Sequence, residues 1–225
     1  MSKLKLNNVS LISLNCVDPV QSIKALLYSS REIQFAKIIL VSDKKPDKIP
    51  NNIDFIYTNL NTHEGSSLFT YRELPNIVDT DFFIGIHDDG FIINPHLWND
   101  EFLNYDYIGA PWKNYGQINR VGNGGFVLKS KKFVQLTKNL KPLGGHEDGE
   151  LTNQYYHYFT QNGCRYAPLG VAMKFSLESR IPECEYNLNN TFGFHGRGNP
   201  KDVTVHDGFY HQFQEKIKLL ESVEI

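Results

Sequence analysis

The stretch Asp81-Phe82-Phe83-Ile84-Gly85-Ile86-His87-Asp88-Asp89-Gly90-Phe91 decides the reading of this chain, because an apolar run of strand character ends in two adjacent carboxylates and a glycine turn. Burying bare charges there would be expensive. At the carboxyl end of a sheet strand, such carboxylates suit a hard divalent cation, Mg²⁺ or Mn²⁺, that also contacts substrate phosphates. Neighbouring strand side chains point to opposite faces, so Asp88 and Asp89 do not both reach one ion unless the turn reorients them. Asp89 is the expected ligand and Asp88 an expected ribose or water-mediated contact. The plainer alternative is an Asp-Gly turn that faces water.

Upstream, Val9 to Leu14 reads as a buried strand, Asp18 as the cap of a helix from Pro19 to about Ser30, and Lys37 to Ser42 as the next strand. Strand, helix, strand in that order predicts a parallel crossover. Ile53 to Tyr57 is a third strand and Ser66 to Leu74 a helix, before the Asp81 to Ile86 strand. Downstream the pattern changes: Tyr105 to Ala110 and Gly125 to Leu128 are short strands parted by a polar glycine loop, which predicts a mixed sheet. Phe133, Leu136 and Leu140 mark one helical face, and Leu151, Tyr155 and Phe159 another on a helix from about Glu147 to Gln161, ended by Gly163. Arg165 to Ala167 and Ala172 to Leu177 read as returning strands. A final helix from about Asp207 to Leu220 turns Phe209, Phe213, Ile217 and Leu220 inward.

The 225 residues, 40% of them hydrophobic and 13% aromatic, fit one domain over 1–225 with a sizeable core. With 23 Lys plus Arg against 25 Asp plus Glu, the net charge of -2 gives no basic field for a nucleic acid. Cys16, Cys164 and Cys184 are odd in number and far apart, against a disulfide framework, so a reducing, cytoplasmic setting is expected. No signal-peptide run or membrane-spanning run is present, so any membrane contact is expected to be peripheral.

Three further segments carry chemistry. In Arg120-Val121-Gly122-Asn123-Gly124-Gly125, the glycines either let a sugar approach the backbone, with Asn123 bonding beside it, or form a turn or bulge the fold needs. The spacing matches neither a P-loop nor a dinucleotide fingerprint. Arg120 is a candidate partner for a leaving diphosphate. Trp112, in Ala110-Pro111-Trp112-Lys113, stacks on a sugar ring or is simply buried indole. Glu147 and Asp148, after Gly144-Gly145-His146, either occupy a favourable first helical turn or face an acceptor.

Taken together, Asp88-Asp89-Gly90, Gly122-Asn123-Gly124-Gly125-Phe126, His146-Glu147-Asp148 and Phe192-Gly193-Phe194-His195-Gly196 occur in the order seen in a small-domain family of GT-A-type glycosyltransferases, which this chain resembles over most of its length. The resemblance implies an α/β, GT-A-like nucleotide-diphospho-sugar transferase fold with a mixed central sheet flanked by helices. It implies transfer from a nucleotide sugar, UDP-linked by preference, to a hydroxyl of a glycan or glycoconjugate, with inversion preferred and front-face displacement with retention as the alternative, since the GT-A architecture hosts both. It also implies Mn²⁺ or Mg²⁺ held by Asp89 and the late His195. Asp148, ahead of Glu147, is the implied catalytic base; Asp88, Asp89, Arg120, Asn123, Gly124, Gly125 and Arg197 are donor-side candidates, and Trp112 and His146 acceptor-side ones. His87 stands where the commonest pattern carries an acid, which also admits a non-catalytic carbohydrate-binding domain on the same fold.

Overall fold

The computed structural model describes residues 3–59, 63–113, 116–184, 187–197 and 209–225. Strand β1 (Leu4–Leu14) leads into α1 (Pro19–Ser29), whose N-terminus is capped as the sequence predicts: the Asp18 carboxylate accepts from the Gln21 N–H and Pro19 opens the first turn. Then come β2 (Ile33–Ser42), β3 (Asp54–Tyr57), α2 (His63–Arg72), α3 (Leu74–Ile77) and β4 (Phe82–Ile86). After β4 follow β5 (Tyr107–Ile108), β6 (Phe126–Ser130), α4 (Lys131–Thr137), α5 (Glu147–Gly149), a π-helical turn (Glu150–Gln154), α6 (Tyr156–Gln161), α7 (Leu169–Phe175), β7 (Ser176–Leu177), β8 (Gly193–Phe194) and α8 (Phe209–Lys218).

Six strands form one sheet in the order β3-β2-β1-β4-β6-β5. The first four run parallel, while β6 is antiparallel to both β4 and β5, so the sheet is mixed as expected. Side-chain alternation sorts the two faces. Val9, Leu11, Ile84, Ile86, Phe126 and Leu128 enter the larger core with Ile23 and Leu26 of α1, Phe175 of α7 and Phe213 of α8. Ile12 and Phe83 face the other way, toward Phe69, Leu74 and Val134 from α2, α3 and α4.

Strand order reverses between β1 and β4, and open parallel sheets have their ligand crevice at the carboxyl ends of such a pair. Because Ile86 pairs with Phe126 in an antiparallel ladder, the residues just after β4 lie beside those just before β6. The acidic turn and the glycine segment are thus brought together by register alone.

Four local readings change. The expected helix from Glu147 to Gln161 is broken by the π turn, where Glu150, 2% exposed, turns inward to accept the Tyr71 hydroxyl and the N–H groups of Leu143 and Gly145. The expected strand from Ala172 to Leu177 is mostly helix: Val171, Ala172 and Phe175 pack inward from α7, and only Ser176–Leu177 pairs, with β8. A short apolar run does not distinguish the two periods. The strand expected from Arg165 to Ala167 shrinks to a single bridge between Tyr166 and Tyr107, and that from Tyr105 to Ala110 to the two residues of β5. The last helix begins in the described residues at Phe209; Asp207 lies outside them. Gly163, with φ 75°, ends α6 as read from the sequence. Among the described residues no helix is long and apolar enough to cross a membrane.

Candidate active site

A cavity of about 690 Å³ opens at the carboxyl ends of β1 and β4. Its floor follows from strand parity: Ile12 and Leu14 of β1, Phe83, Gly85 and then His87 on β4, and Val127 and Lys129 of β6 all point to it. Gly85 is packed closely between its neighbours, since a Cβ there would stand 3.1 Å from Val127 and 3.3 Å from the Phe83 ring. The walls bring Asn123, Gly124, Gly125, His146, Glu147, Asp148, Trp112, Glu178 and His195 to the same space.

His87, Asp89 and His195 lie together, each offering one ligand atom within 4.8 Å of the others. His87 opens and Asp89 lies within the turn closed by His87–Gly90 backbone bonds, and His195 arrives from the end of β8, held by its N–H to Leu177 and by Gly196 N–H to the Asp89 carbonyl. The His195 ring is seated against bare backbone: a Cβ on Gly125 would stand 2.0 Å from Nε2, and one on Gly90 2.9 Å from Cδ2. Two imidazoles and a carboxylate in this spacing fit a first-row divalent cation. The protein packed around the exposed His87 imidazole, and then the neighbouring His195, push it down to about 4. Burial by itself would lower His195, but the Glu178 hydrogen bond and the charges of Glu178, Asp89 and Asp148 outweigh it and raise it.

Asp88, in the turn after β4, is not part of this cluster. Asn15 Nδ2 donates to its Oδ1 at 3.0 Å across the β1–β4 crevice, and Arg197 Nη2 to its Oδ2 at 2.7 Å. Burial and the adjacent Asp89 raise its pKa, against the opposing Arg197. Arg197 also lies 3.7 Å from Asp89, on the rim. Arg120 stands elsewhere: it grips Glu183 through both amino groups, at 2.7 and 3.1 Å, and donates to the Trp112 carbonyl, and it does not line the cavity. Trp112, half-buried, lies over Gly122, where a Cβ would meet the indole at 2.3 Å.

The two candidate bases line the same cavity, Asp148 against Gly124 next to the His195 seat on Gly125. Asp148 Oδ2 accepts the Gly124 N–H at 3.1 Å and Oδ1 its neighbour Gly149 N–H, leaving lone pairs toward the cavity. Glu147 is instead paired at 2.6 Å with Lys129, a lysine 3% exposed on β6. His146 is exposed on the rim at the start of α5. Three residues of this site were not read from the sequence as participants: His87, Lys129 and Glu178. Alternation along β4 and β6 carries the signal for the first two, and nothing local marks Glu178.

A family profile described as "Protein of unknown function (DUF5672)" matches residues 52–195, well over half of the chain. The chain belongs to the DUF5672 family. No curated protein matches it. Among solved structures, the galactosyltransferase LgtC in complex with donor and acceptor sugar analogues is similar at a TM-score of 0.54 and 13% identity, over 96% of this chain and 97% of that one. An active-site mutant of LgtC gives 0.53 and 12%, with coverage of 96% and 97%. The bifunctional IspDF from Campylobacter jejuni is similar at 0.48 and 14%, over 71% of this chain; the chain spans about half of its length, 48%. The architecture of this DUF5672 member is therefore GT-A-like: a mixed, mostly parallel sheet flanked by helices.

Proposed function

We propose that this DUF5672 protein is a metal-dependent glycosyltransferase that moves a sugar from a nucleotide diphosphate sugar, UDP-linked by preference, to a hydroxyl of a carbohydrate or glycoconjugate. The observation that carries the reading is the cluster of His87, Asp89 and His195 in a switch-point cavity that also presents the Asp148 carboxylate. The likeness to LgtC supports it at the level of the fold.

His87, Asp89 and His195 would hold the cation, which supplies charge neutralisation to a leaving diphosphate. With two neutral nitrogen donors, the set favours Mn²⁺ or Co²⁺ over Mg²⁺, which prefers oxygen ligands. The chain's own residues do the rest. The bare backbone of Gly125 and Gly124 lets the His195 ring and the Asp148 side chain seat against the turn, with the Asn123 amide fixed beside them. Trp112 offers an indole face at the acceptor side. Asp148 accepts the proton of the acceptor hydroxyl as that oxygen attacks the anomeric carbon, a single displacement with inversion. Glu147, neutralised by Lys129, is the weaker candidate base and orients the loop. Arg197 is in reach of the diphosphate only by exchanging its hold on Asp88.

The test is a panel of nucleotide sugars incubated with the purified protein and Mn²⁺, read by release of nucleoside diphosphate and by anomeric NMR of any product. Metal-dependent turnover of one donor with inverted product is expected. Donor binding by calorimetry with no turnover, across metals and a broad acceptor set, would favour the carbohydrate-binding alternative; a retained anomer would remove Asp148 from its role.

A further inference from the structure

Glu178 lies just past β7, in a stretch with no recognisable motif, yet it reaches the centre of the site. Its Oε1 stands 3.0 Å from His195 Nδ1 and accepts Asn123 Nδ2 at 2.8 Å. Asn123, itself 4% exposed, is fixed in turn because its Oδ1 accepts the Gly125 N–H at 3.0 Å. One carboxylate oxygen is thus held from two sides, by the glycine turn before β6 and by the imidazole after β8.

An ionised carboxylate accepts and does not donate, so the hydrogen between Glu178 and His195 must reside on Nδ1. In the neutral ring, the lone pair is then on Nε2. That nitrogen faces Asp89 Oδ1 at 3.6 Å, beyond hydrogen-bond reach, so no Nε2–H bond to Asp89 competes for the other tautomer. We propose that Glu178 is a positioning residue: it locks His195 as the Nδ1–H tautomer and aims Nε2 at the ion seat formed with His87 and Asp89. The inference rests on the metal-dependent reading above, but the tautomer itself is a property of the metal-free protein. The arrangement also ties the glycine turn to the ion seat through three consecutive hydrogen bonds, from Gly125 to Asn123 to Glu178 to His195.

The first measurement needs neither metal nor substrate. Long-range ¹H–¹⁵N correlation spectra of the metal-free protein, recorded at alkaline pH where the ring is neutral, should show His195 with protonated Nδ1 and unprotonated Nε2. In E178Q, a replacement of the same size whose amide offers either a donor or an acceptor, that signature should give way to a mixture or to the other tautomer. The second measurement is Mn²⁺ titration by calorimetry. E178Q should bind about 10- to 100-fold more weakly than wild type, the size expected for loss of an outer-shell carboxylate. E183Q, which removes a carboxylate of the same segment that faces Arg120, should bind Mn²⁺ as wild type does. An Nε2–H tautomer in the wild-type protein, or unchanged spectra and Mn²⁺ affinity in E178Q, would overturn the assignment. Failure of the wild-type protein to bind Mn²⁺, with the tautomer as expected, would instead remove the metal reading and leave Glu178 as an orienting group only.

Discussion

Gly125→Ala tests the ion seat with the smallest change in composition. The added methyl would stand 2.0 Å from His195 Nε2, 2.2 Å from Cδ2 and 2.3 Å from Cε1. Ordinary carbon contacts begin at roughly 3.5 Å, so the ring must retreat by about 1.5 Å. A metal–imidazole bond is about 2.1 Å long, and a shift of that size takes the nitrogen out of coordination. Overpacking of this kind costs about 1–3 kcal/mol, which in a chain of this size lowers Tm by about 2–12 °C without Mn²⁺. In the wild type, Mn²⁺ at about 100 times its Kd should add about 2.7 kcal/mol. If loss of His195 weakens binding by about 100-fold, the same Mn²⁺ concentration adds only about 0.4 kcal/mol to the variant. Thermal melts with and without Mn²⁺ read both quantities. Gly170→Ala is the control, because nothing lies within 4 Å of a Cβ there and its helix should gain up to about 1 kcal/mol. A folded Gly125→Ala protein that keeps the full Mn²⁺-induced rise in Tm would refute the placement of His195 in the seat.

Asp148→Asn should keep the fold and donor affinity while slowing transfer by about 100- to 10,000-fold, measured by single-turnover kinetics on the donor identified in the panel. His87→Asp should move the metal preference toward Mg²⁺ by exchanging a nitrogen donor for a hard oxygen, read by competition between Mg²⁺ and Mn²⁺ in calorimetry; an unchanged preference would remove His87 from the ligand set. Lys129→Met should destabilise by about 3 kcal/mol in urea unfolding, since it strands Glu147 in a largely buried pair, and the double variant Lys129→Met/Glu147→Gln should recover most of that loss.

Much of the architecture was legible because it is written in alternation and capping. The apolar strands β1, β2 and β4, the Asp18-Pro19 helix start and the change to a mixed sheet at the glycine loop all follow from local periods and turn residues. Less of the site was legible. His87 reads as a departure from an acidic pattern, although its place two residues beyond Gly85 already puts it on the cavity face. Arg120 reads as a free cation for a phosphate, whereas its partner Glu183 is distant in sequence and met only through the fold. Glu178 carries no local sign of its role, because its two partners, Asn123 and His195, come from the turn before β6 and the residue after β8. The Glu147 to Gln161 helix looked continuous because Leu151, Tyr155 and Phe159 keep its period; the break comes from a buried carboxylate that satisfies distant donors, which no periodicity records.

The proposed ion seat also implies an order of events during synthesis. His87 and Asp89 follow β4 in the chain, whereas His195 comes only after β8. A nascent chain therefore offers a cation only two of its three donors until β8 pairs with β7. On that reading, loading is a late step that coincides with the entry of Phe192, Phe194 and Phe213 into the larger core, so capture of the ion and completion of the core are expected together.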